Sequence, residues 1–343
     1  MTARRLPFPL ILPLSLIMLL ASFWGTLAIW FKMPGPDLLR YVVIGFFVFL
    51  NGAAFIALFK TRHLRPFLVF AGIFALLLGW WSTLTPPSEG NWVPDVARQV
   101  TGEIDGDLVT LTNIRDFEWT SAQEGKTNWI TGTYDLSQLE TVDMLLSYWG
   151  SPNMAHFILS YGFADGRQLA WSIEVKRSVG HKFSPVEDFF RANPLVIIAA
   201  TERDVVGVRT NYRNQDVLML RIAREPAQIR SLFEEYVKDA NKLAARPAWY
   251  NTIETNCTTV VVRMLDAIGG KVDFDWRILV NGYLPEYVYE KGSVVNNIPI
   301  EELLALSRIS PKAQAVGLSD AARFSAAIRE GVPGPPVRSG VTN

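Results

Sequence analysis

Three long stretches without a charged side chain, residues 8–31, 41–59 and 67–84, constrain this chain more than any other feature. A helix crosses a bilayer core of about 30 Å with roughly 20 apolar residues. The connections, 32–40 and 60–66, are short enough that each stretch must turn straight back. The pattern predicts three transmembrane helices. Trp80 and Trp81 close the third, where aromatic rings collect at the lipid–water boundary. The first stretch is longer than the apolar part of a signal peptide and no small-x-small cleavage site follows it. We therefore read it as a retained helix.

Charge divides the chain at the same place. Residues 1–85 hold seven Lys/Arg against one acid, Asp37, whereas the remainder holds 26 basic and 32 acidic side chains. Within the apolar part, Arg4, Arg5, Lys60, Arg62 and Arg65 fall on one side of the membrane. Lys32 and Arg40, partly offset by Asp37, fall on the other. The positive-inside rule puts the larger group in the cytoplasm, and an odd number of spans exports everything after residue 85. His63 then sits in a cytoplasmic loop, an ordinary surface position. The acidic balance of the exported part speaks against a nucleic-acid partner.

Residues 86–91, with Pro86-Pro87-Ser88-Glu89-Gly90, read as a stiff linker. Residues 92–332 are long enough for one α+β domain with its own core, and 333–343, rich in Pro and small polar residues, read as a disordered tail. Leu108–Thr112, Phe117–Thr120, Leu195–Ala200, Val205–Arg209 and Val217–Ile222 look like strands. Ser137-Gln138-Leu139-Glu140 has the capping-box form, and Leu139, Val142, Leu145, Leu146 and Trp149 continue at helical spacing, so a helix is expected there. Pro226 opens a second helix, with Ile229 to Leu243 as its apolar face, that ends at Arg246-Pro247.

Between His156 and Val175 two alternating runs flank Ala164-Asp165-Gly166, a hairpin. Its apolar rows, Phe157/Leu159/Tyr161/Phe163 and Leu169/Trp171/Ile173/Val175, must share a face, so paired residue numbers must sum to an even number. A three-residue loop with Gly166 in the left-handed region gives a sum of 330. That register sets Tyr161 opposite Leu169 and His156 opposite Glu174.

Cys257 is the only cysteine, so no internal disulfide accounts for it. It precedes a helical run, Thr258 to Ile268, that stops at Gly269-Gly270. Unpaired N–H groups and the helix dipole favour a thiolate at such a place and offer donors to an oxyanion. A buried structural cysteine is the competing reading. His156 is the natural general base and Glu174 the group that would orient its ring. His181, in a polar turn, reads as a surface residue, and Glu174 reads equally well as an outward acid paired with Arg177. One cysteine and three scattered histidines give no metal cluster, and no phosphate-cradling glycine loop suggests a nucleotide; no metal and no cofactor are expected.

Ala155-His156, Leu159 to Phe163, Ser172-Ile173-Glu174-Val175, Glu202-Arg203-Asp204, Arg209-Thr210-Asn211 and Trp249-Tyr250-Asn251 with Asn256-Cys257-Thr258-Thr259 occur in a recognisable order. From about Trp92 to about Gly331 the chain resembles the N-terminal periplasmic domain family of the bacterial lipoprotein intramolecular transacylase, Lnb. The resemblance implies a cysteine–histidine acyl-transfer site on a papain-like scaffold of the permuted NlpC/P60 type. It carries the family's nucleophile and base onto Cys257 and His156, and its acid onto Glu174. Asn256, Ser160 and Arg209 become candidates for substrate or oxyanion contacts, although Arg203, Arg209 and Asn211 read rather as ties between strands and loops. It also implies a multi-pass protein of the bacterial inner membrane with a periplasmic C-terminal domain. The expected activity is a thiol acyltransferase whose donor is a lipid or lipoprotein ester. The alternatives are a cysteine hydrolase or amidase of cell-wall peptide or lipid, and a non-catalytic envelope binding protein. Oligomeric state follows from none of these features.

Overall fold

The apolar stretches form helices α1 (Phe8–Lys32), α2 (Asp37–Thr61) and α3 (Arg65–Ser82), each long and apolar enough to cross a membrane. They meet closely at Gly25, where a Cβ would run into Phe47 and Leu77, so a side chain there would part the bundle. Outward, Leu20, Phe49 and Leu76 are more than half exposed, an arrangement stable only against lipid. The computed structural model describes residues 5–334 in two units. The first holds the residues up to Pro86 together with Ser184–Ala192, which includes helix α4 (Pro185–Phe189). Phe190 stacks on Phe31 and lies against Trp24 and Trp81 within that unit, and Arg191 donates to the Trp81 carbonyl.

The second unit is built on one sheet. Its strands are β1 (Thr101–Asp105), β2 (Leu108–Arg115), β5 (Trp129–Asp135), β6 (Leu139–Tyr148), β7 (Ala155–Phe163), β8 (Gln168–Val175), β9 (Leu195–Ala200) and β10 (Asp216–Arg221). A separate small ribbon pairs β3 (Glu118–Trp119) with β4 (Gly125–Lys126). The order is β1-β2-β9-β8-β7-β6-β10, with β5 also on β2. Pairing is antiparallel except for one parallel bridge, Arg115 with Ala200 between β2 and β9, so the expected antiparallel sheet is in fact mixed. The α+β class holds.

Both faces are covered. On one lie α6 (Pro226–Ala245) and α7 (Thr259–Ala267), whose Phe233, Tyr236 and Val261 share a core with Leu159, Tyr161 and Trp171. The other face packs Ile158, Ala170, Ile198 and Met219 against residues of α5 (Glu202–Val205), α10 (Ser310–Val316) and α11 (Ala321–Arg329). Helices α8 (Leu284–Glu290) and α9 (Ile300–Leu306) add Leu284, Tyr287 and Leu303 to the first core.

Two expectations fail here. The segment read as a helix from Ser137 is β6, buried on both faces between β7 and β10. A strand with no solvent face needs no alternation, so its apolar residues fell by chance at helical spacing. The segment read as a strand from Val205 is helical: α5 ends at Val205 and a π-helical turn, Val208–Tyr212, follows. Its run of valines is buried from every side, which period alone cannot distinguish from a strand. The tail expected from residue 333 lies, from 335 onward, outside the described residues, as does Arg4.

Candidate active site

The β7–β8 hairpin fixes the first half of the site. Gly166 takes φ +86°, its N–H bonds the Phe163 carbonyl, and Tyr161 pairs with Leu169 and Ile158 with Ser172, the register that sums to 330. Ser172 and Glu174 therefore stand beside His156 on one side of the hairpin. His156 Nε2 lies 2.7 Å from Ser172 Oγ and 3.1 Å from Glu174 Oε1, and Ser172 Oγ donates to the same carboxylate oxygen at 2.8 Å. The carboxylate thus holds the ring both directly and through the serine.

The second half comes from the turn before α7. The Asn256 side-chain oxygen accepts the N–H groups of Thr258 and Thr259 at 2.8 and 2.9 Å, an Asx cap that opens the helix. Cys257, held between them, is 8% exposed and lines a cavity of about 220 Å³ that His156 and Glu174 also line. The His156 ring lines the same cavity and interacts with the Cys257 thiol, while Nε2 is engaged by Ser172 and Glu174. Burial pushes the thiol up, but the His156 hydrogen bond and charge, the Phe157 N–H and the Thr258 hydroxyl together bring it below its ordinary value. For His156, burial acts downward and is outweighed by the charge of Glu174, so the imidazole is raised. Burial would raise Glu174, yet the charges of His156 and Arg209 hold it well below the usual carboxylate range. Each shift favours a thiolate beside an imidazolium.

Residues 126–282 match the family model described as the Lnb N-terminal periplasmic domain. Over those residues the chain is similar to the Lnb family. It is an inner-membrane protein with a periplasmic C-terminal domain, and the family supports a membrane-associated role in lipoprotein processing. No curated protein and no solved structure matches the chain.

The remaining candidates of this domain distribute unevenly. Arg209, on the π-helical turn, lines the cavity and donates to Glu174 Oε1 at 2.8 Å and to the Val205 carbonyl at 2.7 Å. It braces the acid, a place the sequence suggested for Arg177; Arg177 instead approaches Asp95. Ser160 is fully buried and donates to Glu202 at 2.5 Å, away from the cavity lining. Asn256 spends its amide on the Thr252 carbonyl and its oxygen on the helix N–H groups, so neither end is turned to a substrate. The same cap occupies the Thr258 and Thr259 N–H groups, two of those at the helix start that were expected to offer donors to an oxyanion. Arg203 binds Asp116, Asn211 binds the Ala313 carbonyl, and His181 is exposed, as their sequence context suggested.

Three residues of this domain were given no role by the sequence. Ser172 joins His156 to Glu174. Asn281 lies 3.7 Å from the Cys257 sulfur through Nδ2, which also donates to Thr258 Oγ1 and the Ala155 carbonyl, while its oxygen accepts the Ala155 N–H. It ties the start of β7 to the cysteine turn across more than a hundred residues of chain. Gln215 lines the cavity with its oxygen held by Ser147 Oγ at 2.6 Å, and its amide N–H groups have no hydrogen-bond partner among the described residues. The parity of β8 places Ser172 on the face of Glu174, but a serine there reads only as a polar strand residue. Asn281 and Gln215 reach the site from loops whose paths the sequence does not reveal.

Proposed function

We propose that this protein is a membrane-anchored periplasmic thiol acyltransferase, with Cys257 as nucleophile, His156 as general base and acid, and Glu174 as the group that orients His156. The observation that carries this reading is that Cys257, His156 and Glu174 line one cavity, with the imidazole Nε2 held by Ser172 and Glu174. The order of a histidine strand before a cysteine helix supports a permuted papain-like scaffold.

In the first half-reaction the Cys257 sulfur attacks the carbonyl carbon of an acyl ester. A C–S bond forms, the ester C–O bond breaks, and the imidazolium of His156 gives its proton to the departing alkoxide. In the second, His156 takes a proton from an amine or hydroxyl, which attacks the thioester and releases the sulfur as thiolate. Asn256 caps the Thr258 and Thr259 N–H groups, and the unengaged amide of Gln215 is a donor for the negative oxygen of each tetrahedral intermediate. The three apolar helices keep the thiol near the bilayer, where acyl donors are met without release into water.

Intact-mass spectrometry of the purified full-length protein incubated with membrane lipid and lipoprotein tests the reading. An acyl thioester on Cys257 that is discharged by an amine acceptor, and that is missing in Cys257→Ser and His156→Ala, is the expected result. Discharge to water alone at the same rate would make the enzyme a hydrolase. A sulfur that neither acylates nor alkylates until the protein unfolds would make the domain a binding module. Replacing Gln215 by Ala should lower kcat by about 10²–10³ with little change in KM, as removal of one oxyanion donor does.

A further inference from the structure

Beside the thiol, the cavity carries more positive charge than its own carboxylates absorb. Arg177, Arg209 and Arg213 line it with Glu174, and Asp95 stands behind. Arg209 is spent on Glu174 and the Val205 carbonyl. Arg177 and Arg213 share one partner, Asp95 Oδ2, each at 3.7 Å, beyond hydrogen-bond reach. The other Asp95 oxygen is buried with no partner, so the carboxylate itself is poorly met by either fork. Arg213 uses Nε on the Ala122 carbonyl and keeps its terminal nitrogens; Arg177 keeps all its side-chain donors. Burial and the nearby charge of Arg209 pull Arg213 down to about 10, the mark of a cation that lacks a close counter-ion yet stays charged at neutral pH. One positive charge and two unspent guanidinium forks thus converge on the cavity that holds Cys257.

We propose that Arg177 and Arg213 form an anion subsite in the cysteine cavity that takes a phosphoester group of the acyl donor. Two forks offer more N–H donors than the two oxygens of a carboxylate accept, whereas a phosphate meets both forks at once. The role as donor pocket rests on the acyl-transfer reading; the anion site itself does not. A phosphoester seated there positions an ester of the same molecule against the sulfur, so glycerophospholipid is favoured over uncharged diacylglycerol lipids as donor.

Because Cys257 is the sole thiol, its alkylation reads the subsite directly. Full-length protein in detergent is treated with iodoacetate or iodoacetamide, and the ratio of the two rates is divided by that for glutathione. A cationic pocket should raise this quotient on the order of tenfold. Arg177→Gln/Arg213→Gln should return it to about one and leave the iodoacetamide rate within about twofold, and the two Lys replacements should restore part of it. Should the double variant not fold, Arg177→Gln alone should lower the quotient by about threefold. A wild-type quotient near one, or one that the variants do not move, overturns the subsite. Inorganic phosphate, glycerol 3-phosphate and dihexanoylphosphatidylglycerol are then added as protectants. Protection by the lipid at tenfold or more lower concentration assigns the phosphate to a lipid headgroup, equal protection assigns it to a soluble phosphoester, and protection by none overturns the proposal. Should Cys257 resist both reagents, the acyl-transfer reading fails by itself. Calorimetric binding of inorganic phosphate to wild type, lost in the double variant, would still sustain the subsite, and its absence would end it.

Discussion

At the residue scale the candidate site balances burial against mutual charge. Burial alone would keep Cys257 as a thiol, His156 neutral and Glu174 protonated; their mutual charges reverse all three. Glu174→Gln removes the charge that raises His156, so the imidazolium is lost at lower pH and supports the thiolate less. The acid limb of the alkylation rate against pH should therefore move upward, with a loss of about 10²-fold or more in acyl transfer. A pH-rate profile that the variant leaves in place would deny Glu174 its orienting part. The sign for stability is also fixed: the Glu174 contribution is full above the ordinary carboxylate range and is lost only as pH falls through its depressed value. Asn281→Ala leaves the Ala155 N–H and carbonyl without side-chain partners and should cost about 1–3 kcal/mol in denaturant unfolding. His156, Glu174 and Cys257 were legible because strand parity and a helix start place them by local rules. Ser172, Asn281 and Gln215 were not, since each gains its role from a neighbour that only the folded chain supplies.

At the element scale, what the sequence conveyed depended on how many sides of an element meet water. The hairpin, α6 and the cysteine helix were readable, because turns, caps and a polar face mark them. Strand β6 and the turn around Arg209 are enclosed, and enclosure erases the period that tells helix from strand. The glycines that set these elements make sharp tests. Gly166 at φ +86° keeps the hairpin register, and Gly166→Ala should cost about 1 kcal/mol by thermal or denaturant melting. Gly282 is more tightly held: its N–H donates to the Asn153 carbonyl, its carbonyl accepts from the Tyr148 hydroxyl, and a Cβ would strike the Pro152 and Asn153 backbone. Gly282→Ala should destabilise by about 1–3 kcal/mol and, by displacing Asn281, slow Cys257 alkylation at neutral pH. Alkylation unchanged in this variant would show Asn281 to be irrelevant to the thiol.

At the scale of the whole molecule, the three helices and the single cysteine make the topology measurable. A membrane-impermeant maleimide should label Cys257 in spheroplasts, whereas a cysteine placed at His63 in a Cys257→Ser background should react only after lysis. The reverse pattern would invert the orientation drawn from the basic loops.

The last helix has a consequence for the order in which this domain matures. Arg329, near the end of α11, reaches the fully buried carboxylates of Asp143 on β6 and Glu202 on α5, and Arg221 also pairs with Asp143. Until α11 emerges from the translocation channel, Glu202 would have to sit in the interior without the Arg329 charge, at a cost of several kcal/mol. The sheet that carries His156 is therefore sealed only once α11 has crossed the membrane, and the sulfur meets a finished partner no earlier than that.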